Sequence, residues 1–328
     1  MPVRADRFQQ SDCTGKEMEG WIRGRIMRKV DQPDRYIRFA GLFSIPESLI
    51  RYVPRLFSEE EIEAALSNPE NRYSAGRYSE SWLEKEYCRG FLNKTEEEGV
   101  YCLNNLYGML DVFVVSRKEE YDSLFSMEEK HEIDDWYFDT YYSRLVPDEQ
   151  GRLTEDKVMP LEEVLEAIRE DPRQIYLNYC DCRSLTGDCG KPTRTCLTYK
   201  NGPNTFVDRG LSQPLTKEEA MEIVRNADKN GLMHTTMSGG LCNCCSDCCY
   251  LFRSQKRAGL YGIWPSAKWI VSYDAVQCIS CGLCVKRCWF DVFRKEGREI
   301  RFDPLRCAGC GLCVNTCPSG ALHLTGRC

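Results

Sequence analysis

The chain has 328 residues, 42% hydrophobic and 29% charged, with 44 basic against 50 acidic side chains. At about 150 residues per domain this is enough for two or three domains with genuine cores, and the composition excludes a disordered or fibrous protein. The net charge of −6 offers no global footprint for nucleic acid or anionic lipid.

Residues 1–40 carry nine basic and six acidic side chains broken by Gly and Pro, the pattern of an irregular arm. Met1 to Asp12 is polar and lacks the apolar centre of a secretory signal. No run reaches the roughly 18 apolar residues of a membrane span. The expectation is a cytoplasmic protein with no membrane span. Ser58-Glu-Glu-Glu61 is a capping box that opens a helix through Ile62, Ala65 and Leu66. A second helical pattern covers about Ser79 to Leu92, and Val100–Leu103 and Leu110–Val115 read as strands. Residues 41–150 thus resemble a helical, winged-helix-like unit. Residues 76–98 hold four basic and six acidic side chains, a poor sign for reading phosphate, so protein docking is expected and no nucleic-acid partner. His131, beside Glu128, Glu129 and Lys130, reads as a surface residue.

Residues 151–271 form a cysteine-rich central α/β region. Of 21 cysteines only Cys13, Cys88 and Cys102 precede residue 180, and such clustering in a chain without a secretory signal points to metal rather than to disulfides. A helix over Leu161–Glu170 and a strand-like alternation of Ile175, Leu177 and Tyr179 lead into Cys180-Asp-Cys182-Arg183, followed by Cys189 and Cys196. This first group therefore sits at a strand end, with Lys191 and Arg194 either as cations that stabilise thiolates or an anionic cluster or as solvated side chains. Thr216 and Glu219 form another capping box. Ala220, Met221, Ile223, Val224 and Ala227 then make a core-facing helical stripe stopped by Gly231. His234 comes next, either a hydrogen-bonded core histidine or a metal or proton-transfer group. The second group is Cys242, Cys244, Cys245, Cys248 and Cys249. Successive side chains of irregular backbone point apart, so each adjacent pair serves two centres or one large one. Nine thiols suffice for one or two iron–sulfur clusters, with structural zinc or redox-active thiols as alternatives.

The chain closes on a repeat. Cys278-Ile-Ser-Cys281-Gly-Leu-Cys284-Val-Lys-Arg-Cys288 and Cys307-Ala-Gly-Cys310-Gly-Leu-Cys313-Val-Asn-Thr-Cys317 share one spacing and the core Cys-Gly-Leu-Cys-Val. Three cysteines two residues apart wrap one loop around a cubane, and its fourth iron needs a thiolate from elsewhere. Zinc frameworks use paired two-cysteine hooks instead. Residues 272–328 resemble the bacterial ferredoxin module with two [4Fe-4S] clusters. That resemblance implies that Cys278, Cys281, Cys284 and Cys317 hold one cluster and Cys307, Cys310, Cys313 and Cys288 the other. Gly282 and Gly311 let backbone N–H groups approach sulfur. One departure stands out, Trp289 where the second run has Pro318. Residues 278–328 carry eight basic and four acidic side chains, which two oxidised cubanes of about −2 each would nearly neutralise. His323 falls in the last strand of this module.

The order of C-x-C-R, capped helix, C-C-x-x-C-C and dicluster ferredoxin resembles a little-characterised family of "4Fe-4S ferredoxin" proteins of anaerobes, which implies redox work. The adjacent cysteines also resemble the element of heterodisulfide-reductase subunits, but Ser246 and Tyr250 follow the pairs here instead of glycine. No nicotinamide, nucleotide triphosphate or corrinoid motif occurs. The expected fold is α+β and multidomain. The expected function is single-electron transfer for redox partner proteins, as a subunit or dedicated carrier of an anaerobic oxidoreductase. An enzyme with a substrate-binding or disulfide-reducing cluster at the central cysteines is the first alternative, and an iron–sulfur redox-sensing regulator the second.

Overall fold

A computed structural model describes residues 33–149, 151–187, 189–237 and 239–327, so residues 1–32 of the expected arm, with Cys13, and the terminal Cys328 lie outside the described residues. Helix and sheet are mixed throughout, and the chain divides into two compact units, one ending at Phe113 and the other beginning at Val114.

The first unit starts with α1 (Pro33–Phe43), a 3-10 turn (Glu47–Tyr52), α2 (Val53–Leu56) and α3 (Glu59–Leu66). The capping box at the head of α3 is made: Ser58 Oγ accepts from Glu61 N–H at 3.2 Å, and the Glu61 carboxylate accepts from Ser58 N–H at 2.6 Å. β1 (Tyr73–Ser74), α4 (Glu80–Arg89), β2 (Leu92–Lys94) and β3 (Val100–Leu103) follow. The strands form an antiparallel sheet in the order β1-β3-β2. The rings of Phe39, Phe43, Phe57 and Phe91 pack together as its core. On α4, Trp82, Leu83 and Tyr87 are buried and Arg89 is buried in an ion pair with Glu61, which leaves Glu80, Glu84 and Lys85 on the exposed side.

The strand expected over Leu110–Val115 is helical instead, within α5 (Leu106–Ser116). The β-propensity of its β-branched residues depends on context and yields to tertiary packing. Here Leu106, Met109, Leu110 and Phe113 are fully buried, with Val112, Val114 and Val115 nearly so, and a helix satisfies its own backbone when apolar all round. Asn105 Oδ1 accepts from Gly108 N–H at 2.9 Å and starts the first turn.

The second unit continues through α6 (Lys118–Leu124) and α7 (Met127–Ser143). Then come β4 (Lys157–Met159), α8 (Leu161–Glu170), β5 (Ile175–Asn178), α9 (Asp181–Thr186), β6 (Cys196–Thr198), β7 (Gln213–Leu215), α10 (Lys217–Lys229), β8 (Met233–Met237), β9 (Gly240–Cys244), α11 (Tyr250–Ala258) and β10 (Ser266–Ala267). These seven strands form one sheet in the order β10-β4-β8-β9-β6-β5-β7, antiparallel except for β10 with β4. The apolar stripes of α8 and α10 pack with the sheet through Val164, Ile168, Ala220, Val224, Ile175 and Leu197.

The C-terminal module is built twice over. α12 (Leu283–Arg287) and α13 (Leu312–Thr316) start from Gly282 and Gly311, both at φ 77°. Between them lies the hairpin β12 (Phe293–Glu296) and β13 (Glu299–Phe302), and β11 (Trp269–Tyr273) pairs antiparallel with β14 (Leu322–Gly326). Its core runs without a break into the central region, where Phe252 and Trp264 join Phe290, Val292, Phe293 and Leu312.

Candidate metal centres

In the C-terminal module the repeat folds into two cavities. Cys278, Cys281, Cys284 and Cys317 line the first, and Cys288, Cys307, Cys310 and Cys313 the second. The last cysteine of each run therefore crosses to the other loop's cavity. The remaining walls are apolar, with Tyr273, Ile279, Ile300 and Leu322 around the first and Val271, Phe290, Phe293 and Leu312 around the second. Backbone N–H groups point at sulfur from Ser280 to Cys278 and from Gly309 to Cys307, both at 3.4 Å. The cavities differ in access: Cys281 is exposed, whereas Cys307 and Cys313 are buried.

These thiols suit a multi-iron cluster. Burial pushes Cys284 up to about 11 and Cys310 up to about 12, and moves Cys313 up further in the same direction. Without metal they stay protonated, and only the charge of a bound metal turns them into thiolates. Cys317 moves the other way, because a hydroxyl from Ser319 and N–H groups of Ser319, Ala321 and Leu322 outweigh its burial.

The nine central cysteines separate into a ring of six and a group of three. Cys180 contacts Cys182 and Cys196, Cys182 contacts Cys249, Cys249 contacts Cys244, Cys244 contacts Cys242, and Cys242 contacts Cys196. Each thiol in this closed ring lies against two others. Cys180 and Cys244 sit on opposite sides of it. Cys180 is held well below its ordinary range by Cys182 and Cys196, and Cys244 is brought down to about 5 by Cys242 and Cys249. Cys189, Cys245 and Cys248 form the second group, with all three sulfurs within 4.8 Å of one another. Both adjacent pairs split between the groups, Cys244 and Cys249 to the ring and Cys245 and Cys248 to the triad. Of the two arrangements open to neighbouring cysteines, two centres or one large one, the split corresponds to the first.

Local structure explains how the ring closes. β5 delivers Cys180 as the N-cap of α9, where its sulfur accepts from Arg183 N–H at 3.5 Å. Cys196 opens β6, Cys242 and Cys244 lie on β9, and Cys249 is the N-cap of α11. A single carboxylate fixes the two short helices. Asp134, on α7, accepts from Thr186 Oγ1 at 3.0 Å, from Tyr250 O–H at 3.0 Å and from Arg253 Nη1 at 2.7 Å. Burial still pushes its carboxyl up against these three partners.

The decisive cation is Arg183, not Lys191 or Arg194. Arg183 is 2% exposed and donates only to neutral acceptors, Pro192 O at 2.9 Å, Asn243 O at 2.7 Å and Thr195 Oγ1. Burial opposes its charge, but Cys180, Cys196, Cys244 and Cys245 outweigh it and raise its affinity for the proton. A buried guanidinium without a carboxylate needs anionic sulfur beside it. Lys191 instead donates to Asn230 O at 2.8 Å, and Arg194 donates to Gln213. The run Cys180-Asp-Cys182-Arg183 puts this cation next to the cysteines without marking it as the buried one.

His234 is fully buried, and its Nδ1 lies 2.6 Å from Asn243 Oδ1. Asn243 Nδ2 donates to Thr195 O at 2.6 Å, which fixes the amide, so His234 Nδ1 is the donor and Nε2 faces Asp228 Oδ1 at 3.7 Å. His131 and His323 are exposed. Trp289 explains its own departure from the repeat. Its Nε1 donates to Gly231 O at 2.7 Å, while Arg287 donates to Lys229 O at 3.0 Å and to Asp228 O, and Asn315 Nδ2 donates to Asp228 Oδ1 at 3.1 Å. The module thus grips the C-terminal end of α10, where the helix dipole favours cations.

A family model described as the 4Fe-4S dicluster domain matches residues 270–318, a stretch that takes in both cysteine runs. No curated protein and no solved structure matches the chain. The C-terminus therefore carries a ferredoxin-type module of the iron–sulfur kind. Among the described residues no helix is long and apolar enough to cross a membrane.

Proposed function

We propose that this chain is an iron–sulfur electron-transfer protein that serves a larger oxidoreductase as a subunit or dedicated carrier. Cys278, Cys281, Cys284 and Cys317 would hold one [4Fe-4S] cluster, Cys307, Cys310, Cys313 and Cys288 a second, and the six-thiol ring a further iron–sulfur centre. The observation that carries this reading is the exchange of Cys288 and Cys317 between the two four-thiol cavities.

When bound, such clusters supply single-electron exchange, with charge spread over irons and sulfurs. The chain's own residues supply the conditions. Apolar walls exclude water, and N–H groups aimed at sulfur raise the reduction potential. Cys281 at the surface, with Ile279 64% and Val276 95% exposed beside it, makes the first cavity the side open to a partner. Cys307 and Cys313 are shielded in the interior. Arg183 compensates negative charge at the ring, where water cannot.

The test is iron and acid-labile sulfide per chain on anaerobically purified protein. About twelve irons are expected, eight from the two C-terminal cubanes and the rest from the ring. About eight would remove the ring from the proposal, and fewer than four, with zinc in their place, would overturn the electron-transfer reading altogether.

A further inference from the structure

Among the described residues the triad of Cys189, Cys245 and Cys248 is the one place where three sulfurs gather closely; the other tight group, Cys180, Asp181 and Cys182, holds two thiols and a carboxylate. The triad's three sulfurs lie within 4.8 Å of one another, and no such group includes any of the eight ferredoxin cysteines. A cubane spreads its thiolates over the corners of a cluster, so the ferredoxin cysteines stand apart around their cavities. A single tetrahedral ion with metal–sulfur bonds of about 2.3 Å gathers thiolates to roughly 3.8 Å from one another. The triad has the smaller spacing.

The local backbone fits the same chemistry. Cys245-Ser246-Asp247-Cys248 is a two-cysteine hook of the spacing that grips one ion, and Cys248 N–H donates to Cys245 Sγ at 3.3 Å. Cys189 receives the N–H of Lys191. Ala227 and Leu232 wall the site with apolar surface, and Cys245 and Cys248 are both 0% exposed. Cys189 is half-buried and completes the set from the α9–β6 loop. Three thiolates and a divalent ion leave one negative charge, and Arg183 lies close enough to Cys245 to feel it.

We propose that Cys189, Cys245 and Cys248 bind one thiophilic divalent ion of zinc type, at a mononuclear three-thiolate site separate from the six-thiol ring. Binding displaces to solvent the protons that these thiols still hold. The adjacent cysteine pairs then tie a fixed, redox-inert ion to the ring next door and set the position of Cys244 and Cys249. The inference does not depend on the iron count, since zinc and iron are read separately.

The experiment uses the full chain, purified anaerobically and challenged with a chelator, with zinc and iron quantified and the zinc absorption edge recorded. About one tightly held zinc per chain is expected, with three sulfurs at about 2.3 Å and one lighter ligand. Cys189→Ser should lose zinc to the chelator at least tenfold more readily while iron and labile sulfide stay unchanged. Absence of zinc, zinc with four sulfurs, or loss of iron and sulfide together in Cys189→Ser would each overturn the proposal. The wild-type edge spectrum decides the matter alone if the variant does not fold.

Discussion

The C-terminal and central cysteines solve opposite problems with the same side chain. In the ferredoxin-type module each sulfur faces an apolar cavity, and burial keeps thiols such as Cys284 and Cys310 protonated until metal arrives. In the central ring the sulfurs face one another. The neighbouring thiols hold Cys180 and Cys244 below the ordinary thiol range, and a buried guanidinium stands beside them. The first region is a mould for a cluster whose charge the cluster itself brings. The second already carries its charge balance in the protein, so its integrity depends on a residue that ligates nothing.

Substitution of Arg183 removes that balance directly. Arg183→Met keeps the volume of the side chain and removes its charge. Leaving buried thiolates without their cation costs about 3–5 kcal/mol, and the expected outcome is a loss of the ring's iron, down to the roughly eight irons of two cubanes. The C-terminal clusters should keep their spectrum. Unchanged iron and unchanged denaturant midpoint would show that the ring does not use Arg183 as its counter-charge.

Within the C-terminal module the two runs can be set against each other. Ser280 and Gly309 occupy equivalent positions, and both are left-handed, at φ 55° and 73°. Ser280 already tolerates a side chain there. At Gly309 a Cβ would run into the backbone carbonyl of Trp269, so the close approach of β11 requires glycine. Gly309→Ala should cost about 2–4 kcal/mol from left-handed strain and crowding combined and lower iron by about four per chain. Ser280→Ala should stay within about 0.5 kcal/mol. Equal behaviour of the two variants would mean that the runs are not distinguished by β11.

The contrast between the regions also marks what the amino-acid order could disclose. The ferredoxin-type motif was legible because a cubane imposes one spacing on one loop, and the crossing of Cys288 and Cys317 was what the resemblance to the ferredoxin module implied. The capping boxes at Ser58 and Thr216 and the helix over Leu161–Glu170 were legible for the same reason, a local cause with a local signature. The direction of neighbouring side chains left Cys244-Cys245 and Cys248-Cys249 either two centres or one large one, and only the fold separates the two. Membership in the ring was not legible, because it depends on β6 lying beside β9 and on Asp134 drawing α9 to α11, contacts far apart in sequence. Arg183 was passed over for Lys191 and Arg194, since proximity along the chain says nothing about which guanidinium the fold buries. Leu110–Val115 misled through its β-branched residues, whose preference yields when every face is covered.

Trp289 tests whether the two regions act as one body. Proline at the equivalent place in the second run needs no partner, whereas Trp289 spends its indole N–H on Gly231 O at 2.7 Å, at the end of the helix that walls the triad. Trp289→Phe keeps most of the apolar contact and removes that bond. A lost hydrogen bond of this kind costs about 1 kcal/mol, which for a unit of this size lowers the unfolding midpoint by about 2–4 °C. Amide exchange should quicken at Leu232 and Met233 more than at the strands β12 and β13, because the grip on α10 loosens while the module keeps its own core. Faster exchange confined to the ferredoxin strands would mean that Trp289 stabilises only the module it belongs to. The central cysteines would then keep their geometry without it, and the continuity of the two cores through Phe252 and Phe290 would carry the attachment alone.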